Sequence, residues 1–237
     1  MAANPGLIIA SALVVAVGLA VGIGGPALLR RLPEPVPPDD ADDEIRADYL
    51  TKISYRSLAT RRFGVITGLI AAALTAGAVL TQPADYWAMW AVFGTVGVLL
   101  AAIDTVTTWL PGPVMRLGWI AGAAAALGCL AADPDRITMA IRIGGSGVIA
   151  GGGYLLLWLI TRGRAIAFGD VRLMPLIGAV AGTMDWAGLY WSVLLGSVVG
   201  AAVGVVRLII KRRGPFPYGP ALVCGPYAAA LLISVLQ

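Results

Sequence analysis

Hydrophobic positions in this chain run almost unbroken for about twenty residues at a time, the length an α-helix needs to cross the hydrocarbon of a bilayer. Such runs fall at roughly 6–29, 64–82, 86–104, 114–132, 141–160, 171–184, 187–208 and 218–236. The pattern predicts an all-α, polytopic helical bundle of about eight transmembrane helices, with the lipid bilayer as its solvent. The run at 171–184 is the shortest and is expected to be tilted or partly re-entrant. Connections are short, which favours antiparallel neighbours.

The one long polar interruption is residues 30–62. Its first half, from Glu34, is acidic and proline-rich, with no core-forming residues, and is expected to lack fixed structure. Its second half, Lys52 to Arg62, is basic. The chain therefore divides into an N-terminal helix (1–29), a polar loop (30–62) and a membrane domain (63–237). The first run lacks the basic flank of a secretory signal and is followed by Arg30 and Arg31, so it is expected to be an uncleaved span.

Assigning the connections alternately to two sides places fifteen Lys and Arg on one side and only two, Arg136 and Arg142, on the other. That asymmetry predicts a bacterial inner membrane protein with its N-terminus outside and the basic side in the cytoplasm. Tyr86, Trp87, Trp90, Trp186, Tyr190 and Trp191 fall near the outer boundary, as an aromatic belt would. Glycines at four-residue spacing (Gly118/Gly122, Gly178/Gly182, Gly196/Gly200/Gly204) suit close helix approach.

Composition narrows the chemistry. Of 237 residues 59% are hydrophobic and 13% charged, where a soluble domain would carry roughly 25% charged. The net charge of +4 follows the membrane topology, so it does not indicate nucleic acid. There is no histidine, and the two cysteines, Cys129 and Cys224, lie in apolar runs with no CxxC spacing. No metal or cofactor site is therefore expected.

Thirteen carboxylates remain as candidates. Seven lie between Glu34 and Asp48, and Asp85, Asp133, Asp135 and Asp185 lie in short outer connections, where solvation explains them. Asp104 and Asp170 instead abut apolar runs, where an ionisable group marks a functional site by default. Two spans separate them, so both face the same side. The ordinary reading of Asp170 is a helix N-cap; Asp104 sits where its span ends, an unfavourable place for a carboxylate. Two such groups in a poorly solvated site share a proton, and can then act as base toward water and acid toward a carbonyl. This chemistry needs neither histidine nor metal.

Three segments carry a resemblance. Ile103-Asp104-Thr-Val-Thr-Thr-Trp-Leu110-Pro111 resembles the first aspartate motif of the bacterial type IV prepilin peptidase family. Ala167-Phe-Gly169-Asp170-Val-Arg172-Leu, followed by Gly178, resembles its GxGD motif. Phe216-Pro-Tyr-Gly219-Pro resembles the phenylalanine-glycine segment opening its last span, and Tyr55 to Arg62 is loosely similar to the segment before its second. The resemblance covers about residues 50 to 237 and implies a membrane aspartic endopeptidase. Asp104 and Asp170 would be catalytic, supported by Gly169, Arg172, Leu110, Pro111 and Gly219. The substrate would be a prepilin or pseudopilin, cut at the cytoplasmic face.

The chain departs from the pattern at Ala167, which replaces the first GxGD glycine, at Arg172, which replaces a lysine, and at Gly112, which replaces an aspartate. Residues 30–62 hold no cysteine, so the chain resembles a shorter form without the zinc-binding domain of members that also N-methylate their product. Gly169 is expected to lend backbone freedom toward an extended peptide, and Arg172 to steer a substrate carboxylate. Alternative readings are a transporter with an aspartate proton relay, a non-catalytic pilus-assembly scaffold, and a GxGD protease acting on helical substrates.

Overall fold

The computed structural model describes residues 4–37, 39, 43, 46, 49–50, 52–211 and 216–236, and among these it holds helices and no strand. In chain order the elements are α1 (Pro5–Leu29), α2 (Tyr55–Leu58), α3 (Arg61–Thr81), α4 (Ala84–Thr107), α5 (Gly112–Ala132), α6 (Arg136–Thr161), α7 (Phe168–Ala181), α8 (Asp185–Ile209) and α9 (Gly219–Leu236). Most of the acidic segment 38–48, together with Arg212 and Arg213, lies outside the described residues.

Local signals set the helix ends. Pro5 opens α1 behind an Asn4 cap, whose side chain accepts from the Gly6 N–H at 3.0 Å. Ser54, Thr60 and Asp135 cap α2, α3 and α6 in the same way. At the other end, α4 and α6 stop where Thr108 and Arg162 adopt left-handed backbone. Single π-turns interrupt α1 at Ala20–Gly24 and α4 at Phe93–Gly97.

Seven continuous helical stretches among the described residues are long and apolar enough to span a bilayer, and one of them runs 42 residues from Phe168 to Ile209. Straight, it would be about 63 Å long, twice the thickness of the hydrocarbon. It is not straight. A 3-10 turn at Gly182–Met184 and a positive φ of 75° at Asp185 separate α7 from α8. Gly182 lies against the Arg142 backbone and Gly178 against that of Ser146, and Gly151 lies against Pro175, so α7 runs antiparallel to α6. Trp186 then meets Gly145, and Ser197 meets Tyr154, so α8 returns along the opposite direction. The stretch is a hairpin, so the seven apolar stretches comprise eight helices, of which α7, at 14 residues, is shorter than a straight crossing of the hydrocarbon needs. The short α7 is helical throughout and carries Pro175 in its interior.

Trp90, Phe93, Leu100, Ile103, Leu173, Met174, Ile177 and Leu222 are fully buried and fill the centre, while Leu7, Ile120, Val148, Ile160 and Val235 face outward as lipid contacts would. Trp90 is the exception to the expected belt: its ring is fully buried, 5.4 Å from that of Tyr227. Lipid gives helices no hydrophobic reason to associate, so close packing must hold them. Most of the paired glycines serve that end, with Gly118 and Gly122 against Leu176, Gly196 against the Ala221 carbonyl, and Gly200 against the Tyr218 ring. Gly204 is different, because open space surrounds it.

Candidate active site

Asp104 is buried one turn inside the end of α4, which continues to Thr107 rather than stopping at the aspartate. The helix closes when the Thr108 N–H donates to the Asp104 carbonyl at 2.8 Å. The Thr107 hydroxyl then accepts from the Trp109 N–H at 3.1 Å, turning the chain into Leu110 and Pro111. Pro111 is the residue before α5, so these two positions form the tight link between two helices.

Asp170 occupies the third position of α7, and Ala167 is the residue at its cap. The N-cap reading of Asp170 is therefore corrected: its own N–H donates to the Ala167 carbonyl at 3.1 Å, as an intrahelical residue's does. Gly169 is likewise helical and is closely packed. A methyl group added there would sit 3.2 Å from Leu110 Cδ1, so the α4–α5 link packs directly on the start of α7.

That contact, together with the start of α9, brings the two carboxylates to one place. Asp104 and Asp170 are each buried, line the same cleft of about 380 Å³, and are near enough for their charges to interact. Gly219 completes the arrangement by donating its N–H to Asp104 Oδ2 at 2.9 Å. A methyl group there would stand 2.9 Å from the same oxygen, so any larger residue has to displace the Asp104 carboxylate. Among the described residues no cluster of three or more His, Cys, Asp or Glu is placed to hold a metal ion. A pair of carboxylates in such a cleft can hold a water molecule and pass protons to and from a carbonyl.

Arg172 lies at the edge of this cleft, its guanidinium 5.7 Å from the centre of the Trp119 ring. The Trp119 indole N–H donates to the Arg172 carbonyl at 3.0 Å. Arg172 also borders a second space of about 660 Å³ between α5, α6 and α7, whose walls are almost wholly apolar. The cleft and this groove thus meet at one arginine.

The sequence does not reveal the other wall. Pro33, Glu34, Pro35, Tyr49 and Tyr55 line the cleft, although the acidic segment carries no motif. Glu34 is fixed: its carboxylate accepts from the Tyr55 N–H at 2.9 Å and the Arg56 N–H at 3.1 Å. Burial, reinforced by that carboxylate, pushes the Tyr55 phenol well above its ordinary range and keeps it neutral. Tyr218 closes the far side, next to the Tyr154 hydroxyl. For Tyr49 and Tyr55 the available signal was an aromatic residue within the long polar interruption; for Pro33, Glu34 and Pro35 there was none.

The fold and cleft together define a polytopic helical membrane protein with two aspartates converging at one end of its bundle. Comparison with known proteins shows what the chain is similar to. The chain is 36% identical over 171 residues to a protein of Burkholderia pseudomallei named prepilin leader peptidase/N-methyltransferase, covering 66% of this chain and 50% of that one. Proteins of the same name from Stutzerimonas stutzeri (36% over 89 residues; 33% of this chain, 30% of that one) and Aeromonas hydrophila (31% over 101 residues; 38% and 34%) are also similar. The chain is accordingly a relative of the prepilin leader peptidases, and it spans about half the length of the Burkholderia protein it matches. No family model matches it, and no solved structure does.

Proposed function

We propose that this protein is an aspartic endopeptidase of the bacterial inner membrane that removes the leader peptide from prepilin-like proteins at the cytoplasmic face. The observation that carries the reading is the convergence of Asp104 and Asp170 in one cleft, with Gly219 holding Asp104 by a 2.9 Å hydrogen bond. One proton serves the pair. The ionised carboxylate takes a proton from water, whose oxygen bonds to the scissile carbonyl carbon, while the protonated carboxyl gives its proton to the carbonyl oxygen. The tetrahedral intermediate collapses as the carbon–nitrogen bond breaks. The leaving nitrogen receives the proton first taken from water, and the diol returns the other, so the pair again holds one proton. No covalent intermediate forms.

Two further observations support the substrate class. The names of the relatives specify a prepilin leader peptidase. The polar cleft also adjoins an apolar groove at Arg172, which suits a chain that is polar on one side of the cut and apolar on the other. Arg172 is available to meet a substrate carboxylate at that junction. Orientation follows the charge asymmetry, with the dyad end on the basic, cytoplasmic side.

The test is Asp104→Asn and Asp170→Asn in membranes, with a fusion carrying a glycine-terminated leader before an apolar helix. Each variant is expected to insert and fold normally yet leave the leader uncut. Full processing by either one overturns the mechanism.

A further inference from the structure

Trp109 follows Asp104 by five residues and lines the cleft, and its ring is covered by the polar loop that leads from α1. The Tyr49 ring lies 4.5 Å from it, centroid to centroid, and the Lys52 ammonium sits 4.3 Å from its centroid. A cation at this distance over an indole face is held by the ring quadrupole. Lys52 is half-buried there and near enough to Asp104 for the two charges to interact. The loop is anchored on both sides of this contact. Glu34 grips the backbone at Tyr55 and Arg56, and the Arg30 guanidinium donates to the Ala59 carbonyl at 3.2 Å. An otherwise polar connection thus delivers one cation to a site whose two aspartates carry net negative charge.

We propose that Lys52, docked on Trp109, is a positioning residue of the dyad, holding Asp104 oriented through its charge. This rests on the reading of Asp104 and Asp170 as the hydrolytic pair. It also brings Lys52, which belongs to no recognised motif, into the catalytic machinery. A flexible lysine is a compact charge that a rigid aromatic platform must place. Trp109 supplies that platform from the same link that packs Leu110 onto Gly169.

The experiment compares Lys52→Met, Lys52→Arg, Trp109→Leu and the Lys52→Met/Trp109→Leu double variant, using the leader fusion in membranes. The single Met and Leu variants are expected to lower kcat about tenfold with KM little changed. Lys52→Arg should keep most of the activity, because it keeps the charge and stacks on the indole. The double variant should be no worse than either single one, since both remove the same interaction. A merely structural contact would lower the amount of folded protein and would not lower kcat at unchanged KM. Lys52→Met turnover equal to wild type overturns the proposal, as does a loss confined to KM. Asp104→Asn in the same assay keeps the two readings apart. If Asp104→Asn is inactive and Lys52→Met fully active, only the role of Lys52 fails, whereas an active Asp104→Asn sinks the peptidase mechanism itself.

Discussion

Gly219→Ala tests the geometry of the cleft with a single methyl group. The added carbon would stand 2.9 Å from Asp104 Oδ2, 3.3 Å from its Cγ and 3.4 Å from its Cβ. The first distance is shorter than carbon and oxygen tolerate, and the Asp104 side chain borders the cleft, the open space into which it can turn. The carboxylate must swing away, and the 2.9 Å bond from the Gly219 N–H lengthens or breaks. A hydrogen bond to a charged group contributes about 1.5–3 kcal/mol. Lost from the reacting geometry, that corresponds to a fall in kcat/KM of roughly ten- to a hundredfold. Stability should fall as well, because the lost bond is buried and Gly219 is the first residue of α9, where the preference of a helix interior for alanine does not operate. Leader cleavage in isolated membranes, normalised to inserted protein, measures the first effect, and thermal unfolding in detergent measures the second. Cleavage within about twofold of wild type would refute the argument that Gly219 sets the position of Asp104.

Gly178→Val should weaken the α6–α7 contact by about 1–3 kcal/mol, since its side chain would run into the Ser146 backbone and stand 2.7 Å from Ala150 Cβ. A lower unfolding temperature in detergent checks this, and an unchanged one counts against the packing. Chelators should leave leader cleavage unaffected, because the chain has no histidine and both cysteines lie in apolar runs. Stoichiometric zinc that leaves together with activity would end that expectation.

The sequence located the helices well because the bilayer demands continuous apolar length, a signal that neighbours do not alter. Predicted and observed ends differ mostly by a few residues, as with 64–82 against Arg61–Thr81. Parity of crossings likewise placed Asp104 and Asp170 at one end without any knowledge of packing. Details that depend on a partner were not legible. Asp170 reads as a cap because the polar-to-apolar transition falls there, yet Ala167 holds that position, and an unbonded alanine cap leaves no mark in sequence. The close packing of Gly169 comes from Leu110, fifty-nine positions earlier. Trp90 reads as an interfacial anchor, but α9 contributes Tyr227 to cover it. Glu34 looked like one more solvated acid, because its partners are backbone N–H groups beyond a long polar insertion.

The place of the cleft follows from the solvent as much as from the chain. Hydrolysis needs water, and backbone without helical hydrogen bonds needs polar surroundings, so neither can sit deep in hydrocarbon. Both requirements are met where helices end. Asp104 lies three residues before the last residue of α4 and Asp170 is the third of α7, so each is only about 3–5 Å along its axis from the end of its helix. That chain, at 108–111 and 216–218, contributes Thr108, Trp109, Leu110, Pro111, Phe216 and Tyr218 to the cleft wall. The same logic explains why the donor to Asp104 is Gly219. The first residue of a helix has a backbone N–H with no partner inside its own helix, and here that free N–H is spent on the carboxylate. A site assembled from three helix ends is therefore sensitive to shifts of any one of them along its axis. That sensitivity is the physical reason for the close Gly169–Leu110 and Gly200–Tyr218 contacts, which pin the start of α7 and the approach to α9.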